Sequence, residues 1–417
     1  MGNIDQAYEL AKERYAAIGV DTGKALKQMN QIRISFNAWQ FDDVRGFLKK
    51  ETAMSGGILS TGNYIGAAAN PEQLRQDADV AFSLIPGKHK LSLQATQVDT
   101  GEAIDLDEIE PRHYQNYVDW AKERGIGLDF NPSCYSHPKS ESGFTLSSSD
   151  RGIREFWIQH CRRSSLVGEY FGRELGIQAV TNHWICDGYK DFPADQFAPR
   201  ERLRDSLDEI FHKPVNQKWN LDTLESKLFG IGVEAYTVGS HEFYMMYAAK
   251  NGRSLCLDAG HFHPTEEVAN KISSVMIFSE EMALHVTRPM RWDSDHVVSF
   301  DDQTQAMINE VVRGGWLERV HIGTDYFDGS INRITACVTG MRNTLKAMMR
   351  ALLEPTDRLR VLEMEQNYSE RLAVMEELKT YPFEAVWDYY CQSKGVPVGM
   401  DWLPEVKRYE REVLCCR

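Results

Sequence analysis

Along the chain, short runs rich in β-branched and apolar residues alternate with longer stretches whose apolar residues recur every three or four positions. The first pattern belongs to buried strands and the second to amphipathic helices. Strands are expected at 33–39, 90–96, 127–130, 179–184, 223–229, 254–258, 283–287 and 319–325, eight in all. Helical patterns between them, at 113–124, 148–175, 199–211 and 302–313, give the rhythm of successive βα units. A closed barrel and an open doubly wound sheet both fit that rhythm.

The pattern changes after Ser330, where helical stretches at 345–353, 357–378 and 406–413 follow one another without a convincing strand. The division expected is therefore 1–330 for the strand-bearing unit, opened by a charged amphipathic helix, and 331–417 for a helical C-terminal extension. The 417 residues fit one barrel of ~250 residues with terminal helical additions, without a second core. No low-complexity linker or short-period repeat interrupts them.

Composition narrows the class. A hydrophobic fraction of 42% and a charged fraction of 26% are those of a soluble globular protein, and no apolar run approaches the ~18 residues of a membrane helix. The first twenty residues lack the basic-then-apolar layout of a secretory signal, and Gln6 stands where a myristoylation motif needs Ser or Thr. Eight cysteines without a CxxC pair suit reduced thiols, so a cytoplasmic location is expected. A net charge of -14 disfavours nucleic acid and anionic membranes as partners and leaves small neutral molecules open.

The chemistry gathers at strand ends. Glu225, Asp258, His285 and Asp325 close four of the expected strands, and in a barrel those ends share one rim. Three carboxylates and an imidazole suit a hard or borderline divalent cation such as manganese, magnesium or cobalt. Just beyond, His261 follows Asp258 by three residues, while Asp293 and Asp295 flank Ser294 and in an extended loop point the same way. Together they imply a second, more open metal position. Taken singly, each carboxylate reads more readily as a helix cap or loop anchor, and it is their conjunction that argues for metal. His263 is read as a supporting histidine, Asp301 and Asp302 as the start of a helix, and Asp328 as a surface or supporting group.

Lys227, two residues after Glu225, faces the same side of a strand, where it either polarises a substrate carbonyl or neutralises the carboxylates. Trp39, Phe130 and Trp184, at or near other strand ends, offer flat walls for a sugar face, with core packing as the plain alternative. A rival motif is the G-x-G-x-x-A pattern of Gly230, Gly232 and Ala235, with Asp258 at the spacing of a ribose-binding acid. It would make the chain a Rossmann dehydrogenase with a nicotinamide cofactor. Against it, the preceding ESKLF run is charged where a dinucleotide-binding strand is continuous and apolar.

The strings GLDFNPSCYSHP, ESKLFGIG, LDAGHFHPTE, RPMRWDSDHVV and SINRI resemble those of the L-rhamnose isomerase family, and the similarity runs from the first helix to the C-terminal region. The resemblance implies a (β/α)8 TIM barrel, a homotetramer, and interconversion of L-rhamnose and L-rhamnulose. It implies two divalent ions per subunit, manganese first, with cobalt, zinc or magnesium possible at the second position. By the same resemblance Glu225, Asp258, His285 and Asp325 hold the structural ion, His261, Asp293 and Asp295 the catalytic one, and Lys227 stands near the sugar's first oxygens. Lys227, Asp293 and His261 become the catalytic set, and Trp184, Gln94, Trp39 and Phe130 the substrate-binding set.

Departures from the family pattern are Asn37 and Gln94 in place of histidines, Phe41 in place of glycine, and His183 and Cys186 beside Trp184. They leave open a related isomerase for another aldohexose or deoxyhexose, or a metal- and sugar-binding homologue with little turnover.

Overall fold

The structure is a computed structural model that describes residues 2–49, 62–227, 235–288, 290 and 296–417. Eight parallel strands close into a barrel in chain order: β1 (Ser35–Asn37), β2 (Lys90–Gln94), β3 (Gly127–Asn131), β4 (Ala179–Trp184), β5 (Asn220–Glu225), β6 (Ser254–Asp258), β7 (Met282–Val286) and β8 (Val320–Thr324). Ser35 pairs with Lys90 on one side and Gly323 on the other, which closes the ring. Each strand is followed by a helix that returns the chain, ending with Arg333–Leu352 after β8. This is the (β/α)8 fold, and it excludes the dinucleotide-binding open sheet. Gly230 and Gly232 of the rival motif lie outside the described residues.

Strand alternation sorts the side chains. On β2, Lys90 and Ser92 line a narrow cavity inside the barrel, whereas Leu91 and Leu93 pack into the hydrophobic core. On β3, Asp129 and Asn131 face the same cavity, and Lys90 Nζ reaches Asp129 Oδ1 at 3.0 Å. On the β4–β7 side, Val180, Leu221, Cys256 and Ala283 form a small apolar layer of their own. Barrel interiors are commonly filled by branched apolar residues. Here that filling covers one side only, and the other is polar.

Asp43, at φ 56° just after the helical turn Trp39–Asp42, pairs with Arg333, the first residue of the helix after β8, at 2.7 and 2.8 Å. Both side chains are buried, and the pair ties the start of the barrel to its end. Helix Arg333–Leu352 packs against helix Asp302–Arg313, so in space it belongs with the barrel although it lies beyond residue 330. The N-terminal helix Asn3–Ala16 packs on Phe383–Ser393, with Tyr8 stacked on Tyr389 at 3.9 Å. Among the described residues, no helix is long and apolar enough to cross a membrane.

The expected helix at 357–378 is two, Thr356–Met364 and Tyr368–Leu378. Gln366 adopts φ 58° and Asn367 caps the second helix by accepting from Glu370 N–H, so the chain stops and restarts there. The strand expected at 223–229 starts three residues earlier, and it ends at Glu225.

Candidate metal centre

Parallel register builds the centre. Glu225 pairs with Cys256, Asp258 with His285, and His285 with Gly323, so neighbouring strand ends carry the ligand types stepwise around the rim. Gly323 gives the imidazole its place, since a Cβ there would lie 3.2 Å from His285 Cδ2. Asp325 follows directly on β8. One oxygen or nitrogen from each of Glu225, Asp258, His285 and Asp325 lies within 4.8 Å of all the others. His285 Nδ1 stands 3.4 Å from Glu225 Oε2, 3.5 Å from Asp258 Oδ2 and 3.3 Å from Asp325 Oδ2. It is buried and makes no aligned hydrogen bond with any of them.

Electrostatics say the same. Burial would raise the Glu225 carboxyl, but the imidazoles of His285 and His261 hold it well below the usual range. Burial would lower His285, yet Cys256, Glu225 and the carboxylates of Asp258 and Asp325 push it well above its ordinary value. Asp325 is pushed up to about 6 by burial, with repulsion from Asp258 and Glu225 adding to it. Three carboxylates this close trap protons unless a cation neutralises them. An imidazole nitrogen without an aligned donor or acceptor, surrounded by three carboxylates, fits a divalent ion in both geometry and donor chemistry.

The remaining expected residues divide. His261 Nδ1 lies 2.8 Å from Glu225 Oε1, and its ring stacks on Trp184 at 6.0 Å. Lys227 Nζ sits 4.6 Å over the Trp184 ring, and Tyr135 meets that ring's edge. Trp184, Lys227 and His261 thus form one wall beside Glu225. Asp293 and Asp295 lie outside the described residues. Gln94 ends β2, and its backbone N–H donates to Gln97 Oε1 at 2.9 Å. Trp39 is buried in the helical turn after β1 and is not a strand-end residue.

Phe130 is a correction. Its ring is fully buried between Tyr114 and Phe171, at 5.0 and 5.8 Å, in the layer between barrel and helices. On β3 the polar Asp129 and Asn131 take the inward face, which sends the phenyl ring outward, away from any rim site. Asn37 is likewise engaged, donating to Tyr326 O at 2.6 Å and accepting from Thr324 Oγ1 at 2.7 Å, a staple between β1 and β8. His183 faces the outer layer, where Nε2 lies 3.0 Å from Asp222 Oδ1.

Three residues went unread in the sequence. Asn182 Nδ2 donates to Glu225 Oε2 and Asn182 Oδ1 accepts from Thr223 Oγ1 at 2.9 Å, while Cys256 groups with Glu225 and His285. Each sits two positions before a rim residue on its strand, so alternation alone would have put it on the inward face.

Comparison with known proteins fits this architecture. The L-rhamnose isomerase (RhaA) family description matches residues 2–417. The chain belongs to the L-rhamnose isomerase family. It is 55% identical over 414 residues to an L-rhamnose isomerase of Listeria innocua, covering 99% of both chains. It is 54% identical over 417 residues to that of Mannheimia succiniciproducens, covering 100% of each, and 52% identical to that of Yersinia pestis. Among solved structures, an L-ribulose 3-epimerase superposes with a TM-score of 0.50 at 11% identity, covering 79% of this chain and 97% of that one. That last likeness is one of fold.

Proposed function

We propose that this L-rhamnose isomerase family member is a divalent-metal-dependent aldose-ketose isomerase, an intramolecular oxidoreductase that interconverts L-rhamnose and L-rhamnulose. The observation that carries the proposal is the convergence of Glu225, Asp258, His285 and Asp325 within 4.8 Å at the ends of neighbouring strands. Those four would hold a structural ion, manganese first, and His261 with Asp293 and Asp295 a second. Bound there, such ions would supply Lewis acidity toward a substrate carbonyl.

The chain's own side chains supply the rest. Trp184 gives the sugar an apolar wall, and Lys227, above it, places positive charge beside the substrate carbonyl, where negative charge develops as hydrogen passes between C1 and C2. Asn182 holds Glu225 in orientation, and Gln94 offers an amide to the ring oxygen. Residues 1–330 carry this chemistry. Within the extension at 331–417, the part beyond Leu352 forms the contacts of a homotetramer, for which Met364, Tyr368 and Leu372 present exposed apolar surface. The location proposed is cytoplasmic, the partner a sugar, with no nucleic acid or membrane.

The test is ketose formation from a panel of aldoses, before and after chelation, with manganese added back. Activity on L-rhamnose that chelator abolishes and manganese restores is expected. Turnover that survives chelation, or that prefers another aldohexose, overturns the metal or the substrate assignment respectively.

A further inference from the structure

We propose that Cys256 gives the metal centre a second, deeper seat for a thiophilic divalent cation, held by the Cys256 thiolate, the Glu225 carboxylate and the His285 imidazole. The proposal rests on the metal-centre assignment and extends it to a residue outside that assignment.

Ligand atoms of Glu225, Cys256 and His285 lie within 4.8 Å of one another, as do those of the carboxylate set. Cys256 pairs directly with Glu225 across the β5–β6 ladder and sits two residues before Asp258, hence on the same face and roughly 6.6 Å further into the barrel. It is 1% exposed and packs with Val180, Leu221 and Ala283, the apolar layer beneath the rim. The sulfur therefore meets hydrocarbon on its inner side and the metal-binding groups on its outer side. His285 Nδ1, buried and without an aligned partner, is positioned to serve either seat.

Ligand chemistry separates the two. Three carboxylates and one imidazole favour manganese or magnesium, whereas a thiolate, an imidazole and one carboxylate favour zinc or cadmium. Tetrahedral zinc with bonds of ~2.0–2.3 Å sets its ligands ~3.3–3.8 Å apart, so ligand atoms that lie within 4.8 Å of one another close on the ion by side-chain shifts of about an ångström. The incoming ion displaces the thiol proton to solvent. Glu225 and His285 are shared, so an ion in the deeper seat deprives the upper one of two ligands. Zinc and cadmium should then inhibit by displacement.

The experiment titrates metal-free protein with Cd2+ and, separately, with Mn2+, in the wild type, Cys256→Ser and Cys256→Ala, reading ultraviolet thiolate-to-cadmium charge transfer and calorimetric affinity. The wild type should develop the band at one Cd2+ per chain, and both variants should lose it. Cadmium affinity should fall at least about tenfold, because losing a group that merely orients a ligand already costs ~10–100-fold. Manganese affinity should stay within about threefold. An unchanged band in the variants, or equal losses for both ions, overturns the deeper seat. Absence of Mn2+ binding in the wild type would instead overturn the metal-centre assignment, which the cadmium result does not touch.

Discussion

Asn182 Nδ2 donates to Glu225 Oε2, and the amide is kept from flipping because its own oxygen accepts from Thr223 Oγ1 at 2.9 Å. The register pairs Asn182 with Thr223 directly, so β4 and β5 build the relay by side-chain alternation alone. Its effect is to fix the orientation of the Glu225 carboxylate, with Oε2 turned toward His285 and Oε1 toward His261.

The first prediction follows from that relay. Asn182→Leu should weaken Mn2+ binding about 10–100-fold, since groups that orient metal ligands carry effects of that size. Thr223→Val should weaken it less, because the amide remains. Calorimetric titration measures both, and wild-type affinity in Asn182→Leu would show that Glu225 needs no such support.

Proton competition gives the second. The carboxylates hold the His285 pKa well above its ordinary value despite burial. A raised folded-state pKa stabilises the metal-free fold fully below the unfolded value of ~6.5, and this contribution is lost as pH rises through the folded value. Metal binding runs the other way, because the ion must displace that proton. Mn2+ affinity should therefore rise with pH from about 6 upward, with proton release detectable by calorimetry in buffers of different ionisation enthalpy. A pH-independent affinity would mean that His285 is neutral before the ion arrives.

Strand-end chemistry was legible because of its conjunction: one acid closing an apolar run reads as a helix cap or loop anchor, but three acids and an imidazole closing four such runs converge once the strands close. Phe130 was misread for a related reason. Alternation tells which residues share a face but not which face is inward, and near β2 and β3 the lumen is polar, so Asp129 and Asn131 turn in while the aromatic ring turns out. Asn182 and Cys256 were silent because a small polar residue within an apolar strand has no meaning until its cross-strand partner is known. Helix Arg333–Leu352 was read only from 345 onward, since 14 of its 20 residues are buried and its polar stripe, Thr335, Thr339, Asn343, Lys346 and Arg350, is only one residue wide.

Closure of the barrel supports a third prediction. Arg333 and Asp43 are a buried, bidentate pair, and Arg333 also donates to Tyr64 O and Ile65 O. Arg333→Met should cost ~3–5 kcal/mol by stranding the Asp43 charge. Denaturant unfolding measures it, and a loss below about 1 kcal/mol would mean that water reaches the pair.

Lys227→Met should lower kcat more than it weakens sugar binding, because the Lys227 ammonium above Trp184 favours charge that develops only as the hydrogen moves. Steady-state rates at saturating L-rhamnose, with metal content checked in the variant, decide it. Full activity with both ions bound would reduce Lys227 to a counter-charge for Glu225.

The fifth prediction concerns Gln94, which ends β2 on the same face as Ser92, a residue of the interior cavity. Aldoses are mainly closed rings, so an isomerase must open them before hydrogen can move between C1 and C2. A histidine of pKa near ~6.5 both donates and accepts a proton at neutral pH, whereas a glutamine amide only hydrogen-bonds the ring oxygen. Ring opening would then lack the factor of ~10² to 10⁴ that general acid-base help typically supplies. Gln94→His should raise kcat on closed-ring L-rhamnose. The gain should be smaller from the ketose side if that sugar opens more readily, so the two directions together separate ring opening from hydrogen transfer. The Gln94 backbone N–H, held by Gln97 Oε1, fixes the strand end whichever side chain stands there, so the substitution changes the chemistry of the position and leaves its place in the barrel intact. A histidine variant no faster in either direction would mean that ring opening does not limit turnover, or that the side chain at 94 does not reach the ring oxygen.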